Sequence, residues 1–282
     1  MPPTRRAVIA AGFAATAVTP TFAEPAEFPW RLPPLRTVQA AGQAIAYYEQ
    51  GAGPALVLVH GMSGSASFEW GRVIPALARR FRVIAPYQIG FAPSAQPDIT
   101  YDASAFVDSM GAILAALGVR RASLVGESFG GWVVAQYART EAERRGTAHA
   151  LPKLDKLVIV DGAVGITPAD RKSPEPPGVN DPAVSADIRA FFAGHPPADT
   201  RAIRAKVVPQ IQKDMILPDQ LPGRGLPTFV VWGDGDQIFP LPVGQRIADG
   251  VPGAKLAVIK DCGHIPSVER PAAFVRALEG FL

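Results

Sequence analysis

The chain has 282 residues, 48% hydrophobic and 19% charged, which suits one large undivided core. Its formal net charge is +3, and without residues 1–23, whose only charges are Arg5 and Arg6, 26 basic residues face 25 acidic ones. Such balance, with no basic run, argues against nucleic acid or an anionic membrane surface as partner, and the single cysteine, Cys262, excludes an intramolecular disulfide.

In chain order, the first segment reads as an address. Arg5 and Arg6 precede the apolar run from Ala7 to Val18, and Thr21-Phe22-Ala23 puts small residues where a signal peptidase reads. The run is too short to span a bilayer, so no stable membrane insertion is expected. Residues 1–23 are predicted to be an export signal that sends the protein to the periplasm or medium. Thr4-Arg5-Arg6-Ala7-Val8-Ile9 resembles a twin-arginine signal, with the general secretory route as the alternative. A proline-rich lead-in, residues 24–34, is expected to drape over the surface.

From Leu35 onward, strand and helix patterns alternate, the sequence form of an α/β fold with a mainly parallel sheet and helices on both faces. Strands are predicted at 35–40, 44–49, 55–60, 82–86, 123–127, 156–161, 228–233 and 255–260. Helices are predicted at 69–80, 103–117, 129–144, 243–249 and 271–281. Between Asp161 and Phe229 lie about sixty residues that fit no sheet element. That excursion, roughly 163–225, is expected to form a cap: an irregular stretch at 167–182, then helices at 183–193 and 200–215. Ile188, Phe191, Phe192, Ile203, Val207 and Ile211 form its apolar faces. Most of these are expected to pack, with Phe191 and Phe192 candidates for a substrate pocket.

The chemistry concentrates at strand ends. Gly126-Glu127-Ser128-Phe129-Gly130 follows an apolar strand and opens a helix. In that setting G-x-S-x-G places a serine on a tight, strained turn, with its hydroxyl clear of the sheet. Serine needs a base, and there are four histidines. His149 falls in a polar segment and His195 in a proline-rich one, while His60 closes a strand upstream of the serine. His264, after the last strand and the turn Asp261-Cys262-Gly263, is the candidate base. The orienting acid is sought after Phe229-Val230-Val231-Trp232, where Asp234 and Asp236 compete; Asp236 is preferred, because Asp234 sits between glycines in the turn. Asp161, ending the preceding strand, is the alternative.

Scattered histidines, one cysteine and no ligand pair at i, i+4 predict no metal site, and the glycine-rich turn lacks the lysine of a phosphate loop. No cofactor is expected. The anticipated partner is a small molecule; the oligomeric state is left open.

His60-Gly61-Met62, the serine turn, Gly233-Asp234-Gly235-Asp236 and Cys262-Gly263-His264 together resemble the α/β-hydrolase superfamily. The closest likeness is to its single-domain branch of esterases, carbon–carbon bond hydrolases and cofactor-free haloperoxidases, over roughly Leu35 to Leu282. The resemblance implies Ser128 as nucleophile, His264 as base and Asp236 as acid. It also implies an oxyanion hole from the backbone N–H groups of Met62 and Phe129, with His60 and Gly61 supporting the oxyanion loop. Two positions depart from the pattern. Tyr87 stands where this branch often has an aspartate, and Ile265, a further candidate for the substrate pocket, stands where the carbon–carbon hydrolases often have a tryptophan. The implied activity is cleavage of small, largely apolar carboxylic esters through an acyl-enzyme. Carbon–carbon cleavage of β-diketone-like substrates is the alternative, and a hydrolase-like binding protein without turnover is the reading from another class.

Overall fold

The computed structural model describes residues 28–170, 186–195 and 199–282. The predicted export signal, residues 1–23, residues 24–27 of the lead-in and most of the stretch 167–182 lie outside the described residues.

Eight strands form one sheet: β1 (Arg36–Ala40), β2 (Gln43–Gln50), β3 (Ala55–Val59), β4 (Arg82–Pro86), β5 (Arg121–Glu127), β6 (Lys153–Val160), β7 (Thr228–Gly233) and β8 (Lys255–Ile259). Their order is β1-β2-β4-β3-β5-β6-β7-β8. β1 and β2 are antiparallel to their neighbours, and the pairings from β4 through β8 are parallel. All eight strands occur where the apolar runs predict them. The central strands read Ala-Leu-Val-Leu-Val and Lys-Leu-Val-Ile-Val near their ends because both faces are covered, which favours continuous β-branched runs over alternation.

Side chains of successive residues leave the sheet on opposite faces. Val57, Val59, Leu124, Leu157, Ile159 and Val230 enter one core; Leu56, Leu58, Val125, Val158, Val160 and Val231 enter the other. The first core is closed by α3 (Ala103–Ala116), α4 (Phe129–Arg144), α6 (Arg201–Lys213) and α7 (Pro242–Gly250). The second is closed by α1 (Ala66–Trp70), α2 (Ile74–Leu77) and α9 (Pro271–Glu279). The two remaining helices, α5 (Ala186–Gly194) and the short α8 (Pro266–Glu269), share a third, smaller cluster with α1: Phe68, Phe191 and Val268, with Trp30, Ile188 and Ile265 packed against it.

The helix predicted at 69–80 is instead two short ones, α1 and α2. Ser65 caps the first by accepting the N–H of Phe68, so the helix starts earlier than its apolar pattern suggests. Between the two, Gly71 lies against Trp30, where an added Cβ would come within 2.7 Å of the indole.

The lead-in is more than drape. Arg72 donates from Nε to the Phe28 carbonyl at 2.8 Å, Trp30 donates from its indole to the Phe68 carbonyl at 3.0 Å, and Arg31 N–H donates to the Gly71 carbonyl at 3.1 Å. Trp30 also stacks on Phe191 at 4.7 Å between centroids, so this segment joins α1 to α5. α6 is fixed differently: Trp132 and Gln136 of α4 both donate to the Asp214 carbonyl at its C-terminal end, at 3.1 and 2.6 Å.

Candidate active site

Ser128 sits between the end of β5 and the start of α4 with φ 54 and ψ −115, a left-handed conformation that costs a residue with a Cβ. The surroundings hold it there. A Cβ on Gly126 would lie 2.2 Å from the Gly130 carbonyl oxygen, and one on Gly130 would lie 2.1 Å from the carbonyl oxygen of Val59. Strand and helix therefore approach closely only because both flanking residues are glycine. The Ser128 carbonyl accepts N–H groups from Gly131 at 3.0 Å and Ala163 at 2.9 Å. Peptide planarity then turns the N–H of Phe129 the opposite way.

His264 lies in the loop between β8 and α8. Its Nε2 is 2.9 Å from Ser128 Oγ, and its Nδ1 is 2.8 Å from Asp236 Oδ2. Asp236, buried in the loop after β7, accepts the N–H groups of Ile238 and Phe239 on Oδ1 at 2.7 and 3.1 Å. With its oxygens so used, the carboxylate points at one ring nitrogen and leaves the other facing the serine. Trp232 steadies this loop by donating to the Phe239 carbonyl at 2.8 Å. Asp234 turns away to pair with Lys260 at 3.4 Å. Asp161 is not in contact with the histidine through a hydrogen bond, yet it is fully buried beside the pair.

His60 is wholly buried and sits behind the serine turn. It accepts the Gln88 N–H on Nε2 at 3.0 Å, so the proton is on Nδ1, which donates to the Gly61 carbonyl at 2.8 Å. Burial lowers its pKa to about 4, which keeps the ring neutral. Holding the Gly61 carbonyl turns the next N–H, that of Met62, away from the ring. Among the described residues, neither the Met62 nor the Phe129 N–H has a hydrogen-bond partner. A Cβ on Gly61 would lie 3.0 Å from the Cβ of Ser128, so a side chain here would press on the serine turn.

The motifs of the sequence do not single out several polar residues of the site. Glu69, in the apolar context Phe68-Glu69-Trp70, is buried and accepts the Gly61 N–H at 2.7 Å; it also shares a short hydrogen bond with the Ser63 hydroxyl. Burial raises its pKa to about 7. Glu127 accepts the Ser267 hydroxyl at 2.7 Å, and burial holds its carboxyl well above the usual range. Glu269 accepts the N–H groups of Gly263 and Ile265 at 2.7 and 3.0 Å, bracing both sides of His264. A glutamate five residues after the histidine was the one available clue, since such a side chain folds back onto its own loop.

Of the residues predicted to line a pocket, Ile265 and Phe191 meet in the third cluster, one step from His264. Phe191 stacks on Trp30 and His195, so it anchors α5 instead of standing free. Phe192 belongs to α5, but its side chain lies outside the described residues. Ile203, Val207 and Ile211 go into the first core. Tyr87 is buried in the second core, with its hydroxyl donating to Ser67 Oγ at 3.0 Å. Cys262 is buried, which pushes its thiol pKa up and makes it a packed residue. The only grouping of three possible metal ligands among the described residues is Asp161, Asp236 and His264. In it the Asp236–His264 pair is already engaged in a hydrogen bond.

The sequence profile described as the alpha/beta hydrolase family matches residues 56–277. A 2-hydroxymuconate semialdehyde hydrolase from Pseudomonas sp. (strain CF600) is 32% identical over 273 residues, 88% of this chain and 93% of the relative. An uncharacterized Mycobacterium tuberculosis protein (strain ATCC 25618 / H37Rv) is 28% identical over 88% of this chain and 80% of its own. Among solved structures, the meta-cleavage product hydrolase CumD from Pseudomonas fluorescens IP01 superposes with a TM-score of 0.72 at 24% identity, covering 90% of this chain and 97% of its own. The esterase RhEst1 from Rhodococcus sp. ECU1013 does so at 0.61 and 25%, covering 88% and 98%. Profile, sequence relatives and fold agree, and the chain belongs to the α/β-hydrolase family.

Proposed function

We propose that the protein is an exported serine hydrolase that cleaves small, largely apolar carboxylic esters through an acyl-enzyme. The observation that carries this reading is the continuous hydrogen-bonded chain Ser128–His264–Asp236, at 2.9 and 2.8 Å, on a strained serine turn. In this mechanism His264 Nε2 takes the Ser128 proton as Oγ attacks the acyl carbon. Asp236 keeps Nδ1 protonated and stabilises the imidazolium that forms. The Met62 and Phe129 N–H groups receive the oxyanion; His60 and the pinned Ser128 carbonyl hold those two peptide planes before substrate arrives. The imidazolium then protonates the leaving alcohol, and the same histidine activates the water that releases the acid. The helices α5 and α6 serve as a cap, with α5 over the histidine side through Phe191 and Ile265.

A second reading is favoured by the sequence relatives, which include the 2-hydroxymuconate semialdehyde hydrolase at 32% identity. It is cleavage of a carbon–carbon bond beside a ketone. The triad serves either reaction, and Ile265 offers no polar group to a second carbonyl. The deciding experiment assays the protein lacking residues 1–23 on short-chain aryl esters and on β-diketones or vinylogous diketones, beside Ser128→Ala. Ester turnover that Ser128→Ala abolishes supports the proposal. Turnover of the ketones alone sinks the ester reading and keeps the triad. Labelling by a fluorophosphonate shows an activated serine, whereas stoichiometric ligand binding with no measurable product release points to a binding protein.

A further inference from the structure

Asp161 follows β6 in a left-handed conformation, φ 40, and is fully buried. Its N–H donates to the Val231 carbonyl at 3.0 Å, and its Oδ1 accepts the Gly233 N–H at 3.0 Å. These two bonds tie the side chain to β7 just before the loop that carries Asp236. The other oxygen, Oδ2, has no donor among the described residues. One oxygen of Asp161, one of Asp236 and one ring nitrogen of His264 all lie within 4.8 Å of one another. The charges that raise the Asp161 carboxyl come from Asp236 in the loop after β7 and Glu127 at the end of β5, both acids; His264 and the buried thiol of Cys262 are its other ionisable neighbours. Two ionised carboxylates at this spacing, away from water, repel strongly, and one of them takes up a proton.

Which one follows from the donors. Asp236 accepts two backbone N–H groups and the His264 Nδ1–H, all of which favour its charged form. Asp161 accepts one N–H and has a bare oxygen that lacks a hydrogen. We infer that Asp161 is the protonated member of a carboxylic acid–carboxylate pair with Asp236, and that it is a positioning residue for the acid that orients His264. Burial, with the Asp236 charge next, holds the Asp161 carboxyl well above the usual carboxylate range, in agreement with that geometry. The O–H on Oδ2 donates toward Asp236, so a single negative charge, spread over two carboxyl groups, faces the imidazolium when Ser128 gives up its proton.

This inference rests on the Ser128–His264–Asp236 triad of the proposed function, and the test separates the two. Asp161→Asn keeps the acceptor for Gly233 and supplies an N–H toward Asp236, so it mimics the protonated acid. It should hold kcat within about 3-fold of the parent, while Asp161→Ala, which removes the donor, should lower kcat about 10-fold with little change in KM. The background matters more. In Asp236→Ala the charge that kept Asp161 protonated is gone, and Asp161, within 4.8 Å of the His264 ring nitrogen, ionises and takes over as its partner. Adding Asp161→Asn to Asp236→Ala should therefore cost a further 10-fold or so, although the same change is nearly silent alone. Thermal melts of all variants check that they fold; should Asp161→Ala unfold, the two backgrounds of Asp161→Asn decide by themselves. An equal effect of Asp161→Asn in both backgrounds overturns the inference. So does a loss in the intact enzyme as large as that of Asp236→Ala, since Asp161 would then carry the charge itself. Turnover by Ser128→Ala in the same assay would instead overturn the triad on which it stands.

Discussion

At the scale of single residues, the site joins a reactive set to a buried polar frame, and the two respond differently to mutation. Ser128→Ala and His264→Ala should each cost on the order of 10⁴-fold in kcat, since the members act as one unit. Steady-state kinetics on an aryl ester checks this, and near-normal rates from folded Ser128→Ala protein would end the nucleophile assignment. Glu69 offers a prediction about pH. Its pKa rises from 4.5 unfolded to about 7 folded, so the folded state binds the extra proton between those values. Stability from this group is therefore fully present below pH 4.5 and is lost as pH rises through 7. Glu69→Gln retains an acceptor for the Gly61 N–H and puts an amide that does not titrate in place of the carboxyl that accepts the Ser63 hydroxyl. Relative to the parent, the variant should gain about 3 kcal/mol between pH 4.5 and pH 8, an order-of-magnitude figure from about 1.4 kcal/mol per pH unit. Denaturant melts at the two pH values measure it; a difference that does not change with pH would show that Glu69 does not titrate there. His60 has the opposite sign: its pKa falls from 6.5 to about 4, and its share of stability is lost as pH drops through 4.

At the scale of elements, the serine turn and α5 differ in how firmly they are held. Gly130→Ala places a methyl 2.1 Å from the Val59 carbonyl oxygen. Either β3 or α4 must move, and a loss of several kcal/mol together with activity is expected, read by melting and by fluorophosphonate labelling. α5 rests on Phe191, stacked between Trp30 and His195, and on the small third cluster. Phe191→Ala should loosen this helix and leave the sheet intact. Cleavage by added protease near α5 should accelerate, and discrimination between short and bulky acyl esters should change by tens of fold, the range of a 1–3 kcal/mol difference in fit. Labelling by a small fluorophosphonate should stay close to normal. Equal loss on every substrate with a lowered melting temperature would make Phe191 a core residue and nothing more.

At the scale of the whole molecule, the lead-in ties the chain ahead of β1 to α1 and α5. Phe28, Trp30 and Arg31 are bonded to residues 68–72, so cleavage after Ala23 would leave that strap intact. We expect protein from the periplasm or medium to begin near Glu24, which intact-mass measurement checks. Replacing Arg5 and Arg6 by lysines should retain it in the cytoplasm if the twin-arginine route is used; normal export would indicate the general secretory route. Among the described residues no helix is long and apolar enough to cross a membrane.

The sequence by itself determined the order of strands and helices, because both faces of the sheet are covered and each strand then reads as an apolar run. It also determined the serine turn, whose glycines are dictated by contacts of 2.1–2.2 Å that no other residue permits. Local pattern sufficed in both cases because the constraint is local. Only the tertiary structure decided which aspartate faces His264, since Asp161, Asp234 and Asp236 all stand near strand ends, and the hydrogen bonds that separate them join different strands. It alone showed the role of Glu69: a carboxylate in Phe68-Glu69-Trp70 reads as a solvated residue until the fold places β3 and α1 around it. It alone showed that the helix predicted at 69–80 is two, with the Phe68 and Gly71 carbonyls, which a continuous helix would use, accepting from Trp30 and Arg31 of the lead-in. Burial and long-range pairing are properties of the assembled sheet, and no window of sequence contains them.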